Sequence, residues 1–112
     1  MDRFVEEVEY SKKADELRHN RVETSFYKYG SAKVNFGDKL VDAIKSHDLC
    51  VAKYQETGNT EYLLDAMNYL MFEFMYPQKS DAFFKATSSK DSAGIVGMSY
   101  NELKDPTSMR FV

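Results

Sequence analysis

"TGNTEYLLDAMNYLMFEFMYP", residues 57 to 77, decides the fold. Between Thr60 and Pro77 almost every position is apolar, yet Glu61, Asp65 and Asn68 interrupt the run at regular intervals. On a helical wheel those three share one narrow arc with Phe72. Apart from Glu73, the rest is apolar: Tyr62, Leu63, Leu64, Met67, Tyr69, Leu70, Met71, Phe74 and Met75. Such a helix is surrounded on most of its circumference, by its own domain or by a partner subunit. Asn59 or Thr60 can cap its start, Glu61 suits a first turn, and Pro77 prevents continuation.

The preceding segment pairs with it. Over 38–56, Leu40, Ile44, His47, Val51 and Tyr54 fall on one stripe at helical spacing, with Phe36 leading in. Gly58-Asn59 is a stop signal, and so short a connection makes the two helices antiparallel neighbours, an αα-hairpin. The expected core sets Leu40, Ile44 and Val51 against Leu63, Met67 and Leu70. Residues 2–19 read as a further helix, acidic early and basic late in keeping with the helix dipole. "VETSFYKYGSAKVNF", 22–36, alternates Val22, Thr24 and Phe26 with polar residues around Gly30-Ser31. It is expected to be a connecting segment with extended character or a short β-hairpin. After Pro77 turn-formers dominate, with a capping box at Ser99 and Glu102, so a long irregular C-terminal arm is expected from 77 to 112. The whole reads as one mainly α domain with a core over about 2–76.

Composition bounds the function classes. The chain has 112 residues, 43% hydrophobic and 29% charged, with eight Tyr, eight Phe, no Trp and a net charge of -3. Interspersed charge of that sign argues against a dedicated nucleic-acid binder, which shows a basic face. No apolar run is long enough for a membrane span, and the acidic N-terminus is unlike a targeting peptide. Cys50 is the only cysteine, which excludes an intrachain disulfide and fits a reducing cytoplasm.

The candidate chemistry is sparse. Glu61, Asp65 and Asn68 place two carboxylates and an amide on one helical face, a set that suits Mg²⁺. All-α nucleotide pyrophosphohydrolases use EExxE on one helix and ExxD on another. Here Glu6-Glu7 lacks the third acid, because Tyr10 stands there, and Glu61 to Asp65 is one residue too long. The preferred reading of the arc is a solvent-facing edge. His47 within an apolar stripe reads as a core histidine holding a carbonyl or carboxylate, since no second His or Cys keeps ligand spacing with it. The cluster Lys12, Lys13, Arg18 and Arg21 reads as a solvated helix end. "ATSSKDSAGIVG", 86–97, with Lys90, suggests an anion loop but lacks P-loop spacing. The arm carries Phe83, Phe84, Ile95, Met98, Tyr100 and Phe111 with no periodic element to bury them. With Lys90, the first five of these are the expected partner-binding residues.

"TGNTEYLLDAMNYLMFEFMYP" followed by "FFKATSSKDSAG" resembles a group of small proteins encoded by bacteriophages, prophages and related mobile elements. Their signature TGNxEYLxDAxN leads into a Met- and aromatic-rich helix ending EFMxP, then a Ser/Asp-rich tail. The likeness spans roughly residues 27 to 97 and carries no activity or site residue with it. What it implies is context: a small accessory product in a bacterial cytoplasm that binds and blocks a host defence component or sequesters its nucleotide signal. The expectation is therefore a non-enzymatic, cofactor-free binding protein that forms homo-oligomers and engages a host protein or nucleotide. A divergent Mg-dependent pyrophosphohydrolase is the alternative.

Overall fold

Helix boundaries follow the capping residues closely in the computed structural model, which describes residues 1–88, 90, 91 and 93. Five helices succeed one another: α1 (Arg3–Glu9), α2 (Lys12–Tyr29), α3 (Ala32–Asn35), α4 (Ala43–Thr57) and α5 (Glu61–Met75). No strand occurs among the described residues. None of the described helices is long and apolar enough to cross a membrane.

Each start has a side-chain oxygen satisfying an otherwise orphaned backbone N–H. Asp2 accepts from Phe4 at 2.9 Å, Ser11 from Ala14 at 3.0 Å, Ser31 from Lys33 at 3.1 Å and Asp42 from Lys45 at 3.0 Å. At α5 the capping oxygen belongs to Asn59, which accepts from the Glu61 N–H at 3.0 Å, while Thr60 makes no side-chain cap bond. The Asp42 carboxyl lies below its usual range, first through the Lys45 N–H and then through the Gln78 side-chain amide. Gly58 ends α4 in the left-handed region at φ 75°, where a side chain would be strained.

The αα-hairpin is present: α4 and α5 pack as antiparallel neighbours, and α5 packs in turn against α2. Four expectations are corrected. Residues 22–36 are neither hairpin nor loop, because α2 continues to Tyr29 and α3 follows at once. The single N-terminal helix is two, since Tyr10 and Ser11 take extended backbone and Ser11 caps anew. The helix expected from residue 38 starts at Ala43, after a turn in which Lys39 takes φ 59°.

The fourth concerns the core. Ile44 and Leu70 are 42% and 46% exposed, Met67 is exposed, and Leu40 lies outside the helix in solvent, while Val51 and Leu63 are half-buried. The buried residues are Phe36, Ala43, Ala66, Asn68 and Phe72. Phe36 stacks on Phe72 with ring centroids 4.6 Å apart, and Val22, Ala32, Val41, Tyr69, Met71 and Tyr76 pack around the cluster. Small residues explain the choice of faces. Ala43 and Ala66 let helix backbones approach closely, whereas Ile44 and Leu70 point along other directions of their wheels.

By contact, the chain divides into one unit of Met1–Ala82 and a second of Phe83–Val112. Within the second unit Phe83 and Phe84 are 83% and 82% exposed. Lys90 lies at an exposed turn, with the Asp91 N–H donating to the Ser88 carbonyl at 3.0 Å. Ile95, Met98, Tyr100, Phe111 and the Ser99–Glu102 capping box lie outside the described residues.

Candidate functional site

The polar arc of α5 faces inward. Glu61, Asp65, Asn68 and Phe72 recur every three to four residues and so share one face, and that face lies against α2. Opposite them α2 presents Ala14, Arg18, Arg21, Val22 and Ser25, all half-buried and also at helical spacing. Two mixed stripes of opposite charge therefore meet, and the solvent-facing edge expected from the sequence is corrected to an interface at Asp65 and Asn68, while Glu61 stays exposed at its end.

Arg21 is the hub. Its Nε and Nη2 donate to the two oxygens of Asp65 at 3.1 and 3.2 Å, the forked geometry in which guanidinium and carboxylate match best. Its Nη1 lies 2.9 Å from Glu61 Oε1. The guanidinium is held above its ordinary range, first by its hydrogen bonds to Asp65, against the opposing effect of partial burial, and then by the charges of Asp65 and Glu61.

One turn away, Arg18 Nη1 donates to Asn68 Oδ1 at 3.3 Å, while Asn68 Nδ2 donates back to the Arg18 carbonyl at 3.0 Å. Asn68 is only 6% exposed, and this reciprocal pair satisfies both ends of its amide. Arg18 also reaches Asp15 at 3.3 Å. The basic cluster expected to be a solvated helix end is thus divided: Arg18 and Arg21 hold α5. Lys12 bridges to Glu6 at 3.2 Å.

The structure brings Glu61, Asp65 and Asn68 together but sets a guanidinium where a divalent cation would stand. Mg²⁺ would have to displace Arg21 from both carboxylates. Glu7 pairs with Arg3 and Glu6 with Lys12. Among the described residues no group of three or more His, Cys, Asp or Glu side chains is placed to hold a metal ion.

His47 is half-buried, with Nδ1 3.0 Å from the carboxylate of its neighbour Asp48. Burial pushes the Cys50 thiol up, with the Asp65 charge adding to it, which disfavours the reactive thiolate.

No known protein family, curated protein or solved structure matches this chain.

Sequence reasoning missed three features: the Arg18–Asn68 lock, the Arg21 fork, and a cleft beside them lined by Phe26 and Tyr29 of α2. One signal was present. Arg18, Arg21 and Ser25 repeat at the same interval as Asp65, Asn68 and Phe72, with complementary charge.

The remaining feature lies on the outer side of α5. Leu63, Met67, Leu70 and Phe74 fall at i, i+4, i+7 and i+11. Met67, Leu70 and Phe74 are exposed, Phe74 by 73%, and Met75 beside them is exposed as well.

Proposed function

We propose that this chain is a non-enzymatic binding protein that pairs with a second copy of itself through α5 and engages a further partner through the segment beyond Pro77. The observation that carries the reading is the outer face of α5. Contiguous apolar surface of this kind marks an interface rather than a chance exposure. Self-pairing suits it because Leu63, Met67, Leu70 and Phe74 carry no charge. Two copies related by a twofold axis, the commonest oligomer symmetry, bring no like charges together there. Phe83 and Phe84, adjacent and exposed, support a contact role for the segment that follows. The likeness to mobile-element products makes a bacterial defence component, or its nucleotide signal, the first partner to test.

Light scattering at micromolar concentration is expected to give twice the monomer mass, and Leu70→Glu with Phe74→Glu to give the monomer with unchanged helicity. A wild-type monomer at that concentration overturns the pairing. Deleting residues 86–112 is expected to leave a folded dimer that no longer captures its partner from a bacterial lysate or blocks defence in cells. Asp65→Ala with Asn68→Ala is expected to keep the biological effect wherever the protein still folds. Loss of effect in that folded double variant, together with Mg-dependent pyrophosphate release by the wild type, would restore the enzyme reading.

A further inference from the structure

Beside the Arg21 fork, α2, α3, the turn after α3 and α5 enclose a cleft of about 560 Å³. That lies within the roughly 300–1,000 Å³ typical of small-molecule sites. Its floor is aromatic: Phe36 and Phe72 are stacked, and Tyr69 meets Phe36 edge-on with centroids 6.1 Å apart. Its lip is aromatic too. Phe26 and Tyr29 are three residues apart on α2, line the cleft and are both largely exposed. Large aromatic rings left in solvent at the mouth of an apolar cavity offer faces for a flat ring to stack on.

Polar side chains line the cleft as well. Arg21 and Asp65 line it, with the Ser25 and Tyr69 hydroxyls, and Asn35 gives its amide nitrogen to the Tyr29 carbonyl at 3.1 Å, which leaves Oδ1 as an acceptor. The Tyr69 phenol, pushed up by burial, is a donor at neutral pH as any phenol is. The state of Arg21 decides what the cleft accepts. Arg21 is the one cation among the lining residues; Asp65 takes two of its nitrogens and Glu61, outside the lining, takes the third, so the guanidinium is already fully matched by carboxylates. A phosphate brought there meets the Asp65 carboxylate, and the guanidinium that would hold it is already committed.

We infer that the α2–α5 cleft binds an uncharged planar heterocycle of nucleoside size, stacked on its aromatic residues with a polar edge against the Arg21–Asp65 pair, and that it rejects the phosphorylated form. This site lies on a different face of α5 from the pairing surface, so the two proposals fail separately.

The test is calorimetric titration of the full chain with adenosine, guanosine, cytidine and uridine, and with the corresponding 5′-monophosphates. At least one nucleoside is expected to bind and to bind several-fold more tightly than its monophosphate. Phe26→Ala with Tyr29→Ala, at exposed positions where circular dichroism should be unchanged, is expected to weaken that nucleoside roughly tenfold, the scale of a lost aromatic stack. Glu61→Gln, which releases Arg21 from one of its two carboxylates at an exposed position, is expected to narrow the preference over the monophosphate. No heat from any of the four nucleosides at millimolar concentration overturns the proposal. So does full affinity in the Phe26/Tyr29 variant, or a monophosphate that binds more tightly than its nucleoside.

Discussion

Phe72→Ala is expected to cost about 3–5 kcal/mol, the range for emptying an aromatic site in a packed core. Phe72 is 9% exposed, stacks on Phe36, and belongs to a cluster of only three buried apolar side chains with Phe36 and Ala43. A domain of this size has in total about 5–15 kcal/mol of stability, so the loss removes a large share of it. Urea unfolding followed by circular dichroism measures it directly, and the midpoint should fall at nearly unchanged slope. Leu70→Ala is the matched control. It sits nearly half exposed on the outer face of the same helix, and in the monomer it should cost less than about 1 kcal/mol. Equal losses at the two positions would mean that the inward face of α5 has been misassigned.

Gly37→Ala is expected to be the most damaging single-methyl change, at about 1–3 kcal/mol or more, as for other forced overpacking. The reason is space. A Cβ at Gly37 would overlap the Lys33 carbonyl, a backbone group that cannot swing aside, and would touch the Tyr76 ring. The tight turn there is held by Asp38 N–H to the Val34 carbonyl at 3.1 Å and Val41 N–H to the Asn35 carbonyl at 2.9 Å. That turn places Phe36 on Phe72 and delivers Asp42 to cap α4, so a shift of it reaches both core and hairpin. Two residues on, Lys39 already takes a left-handed φ of 59°, so Lys39→Gly should be tolerated where Gly37→Ala is not. Thermal melts of the two variants side by side make the comparison, and a Gly37→Ala protein as stable as the wild type would refute the steric argument.

The αα-hairpin was legible because its punctuation is local. Gly58 and Pro77 bound α4 and α5, and the hydrophobic run of α5 leaves no other element type open. The face α5 turns inward was not legible, because the partners that make a polar arc buriable lie far away in sequence. Arg21 meets Asp65 across 44 positions, and Arg18 meets Asn68 across 50. Read alone, Glu61, Asp65 and Asn68 look wet. Paired with two arginines they become an interface, while Met67, Leu70 and Phe74 go to the outside.

The same distance effect hid the second half of α2. Val22, Thr24 and Phe26 alternate as in a strand. Its helical stripe is written in Ala, Arg and Ser, residues that no hydrophobic periodicity picks up. The cleft depends on all of these placements together, so it could not be anticipated from any one segment.

Because α2 is fastened to α5 by a forked arginine and an amide lock more than by buried hydrocarbon, the molecule comes apart in stages. Ion pairs at a half-exposed seam weaken chiefly in concentrated salt, where the screening length falls from about 10 Å at 0.1 M to about 3 Å at 1 M, comparable to the 3.1 Å of the Arg21–Asp65 pair, whereas the Phe36–Phe72 stack does not depend on charge. Subglobal opening is therefore expected to begin with α2 swinging free while the hairpin persists. Amide hydrogens of Arg18 to Ser25 should exchange sooner than those of α5, and sooner still in concentrated salt. Ionic strength thus becomes a dial on one helix, setting how often the molecule gapes without setting whether it is folded.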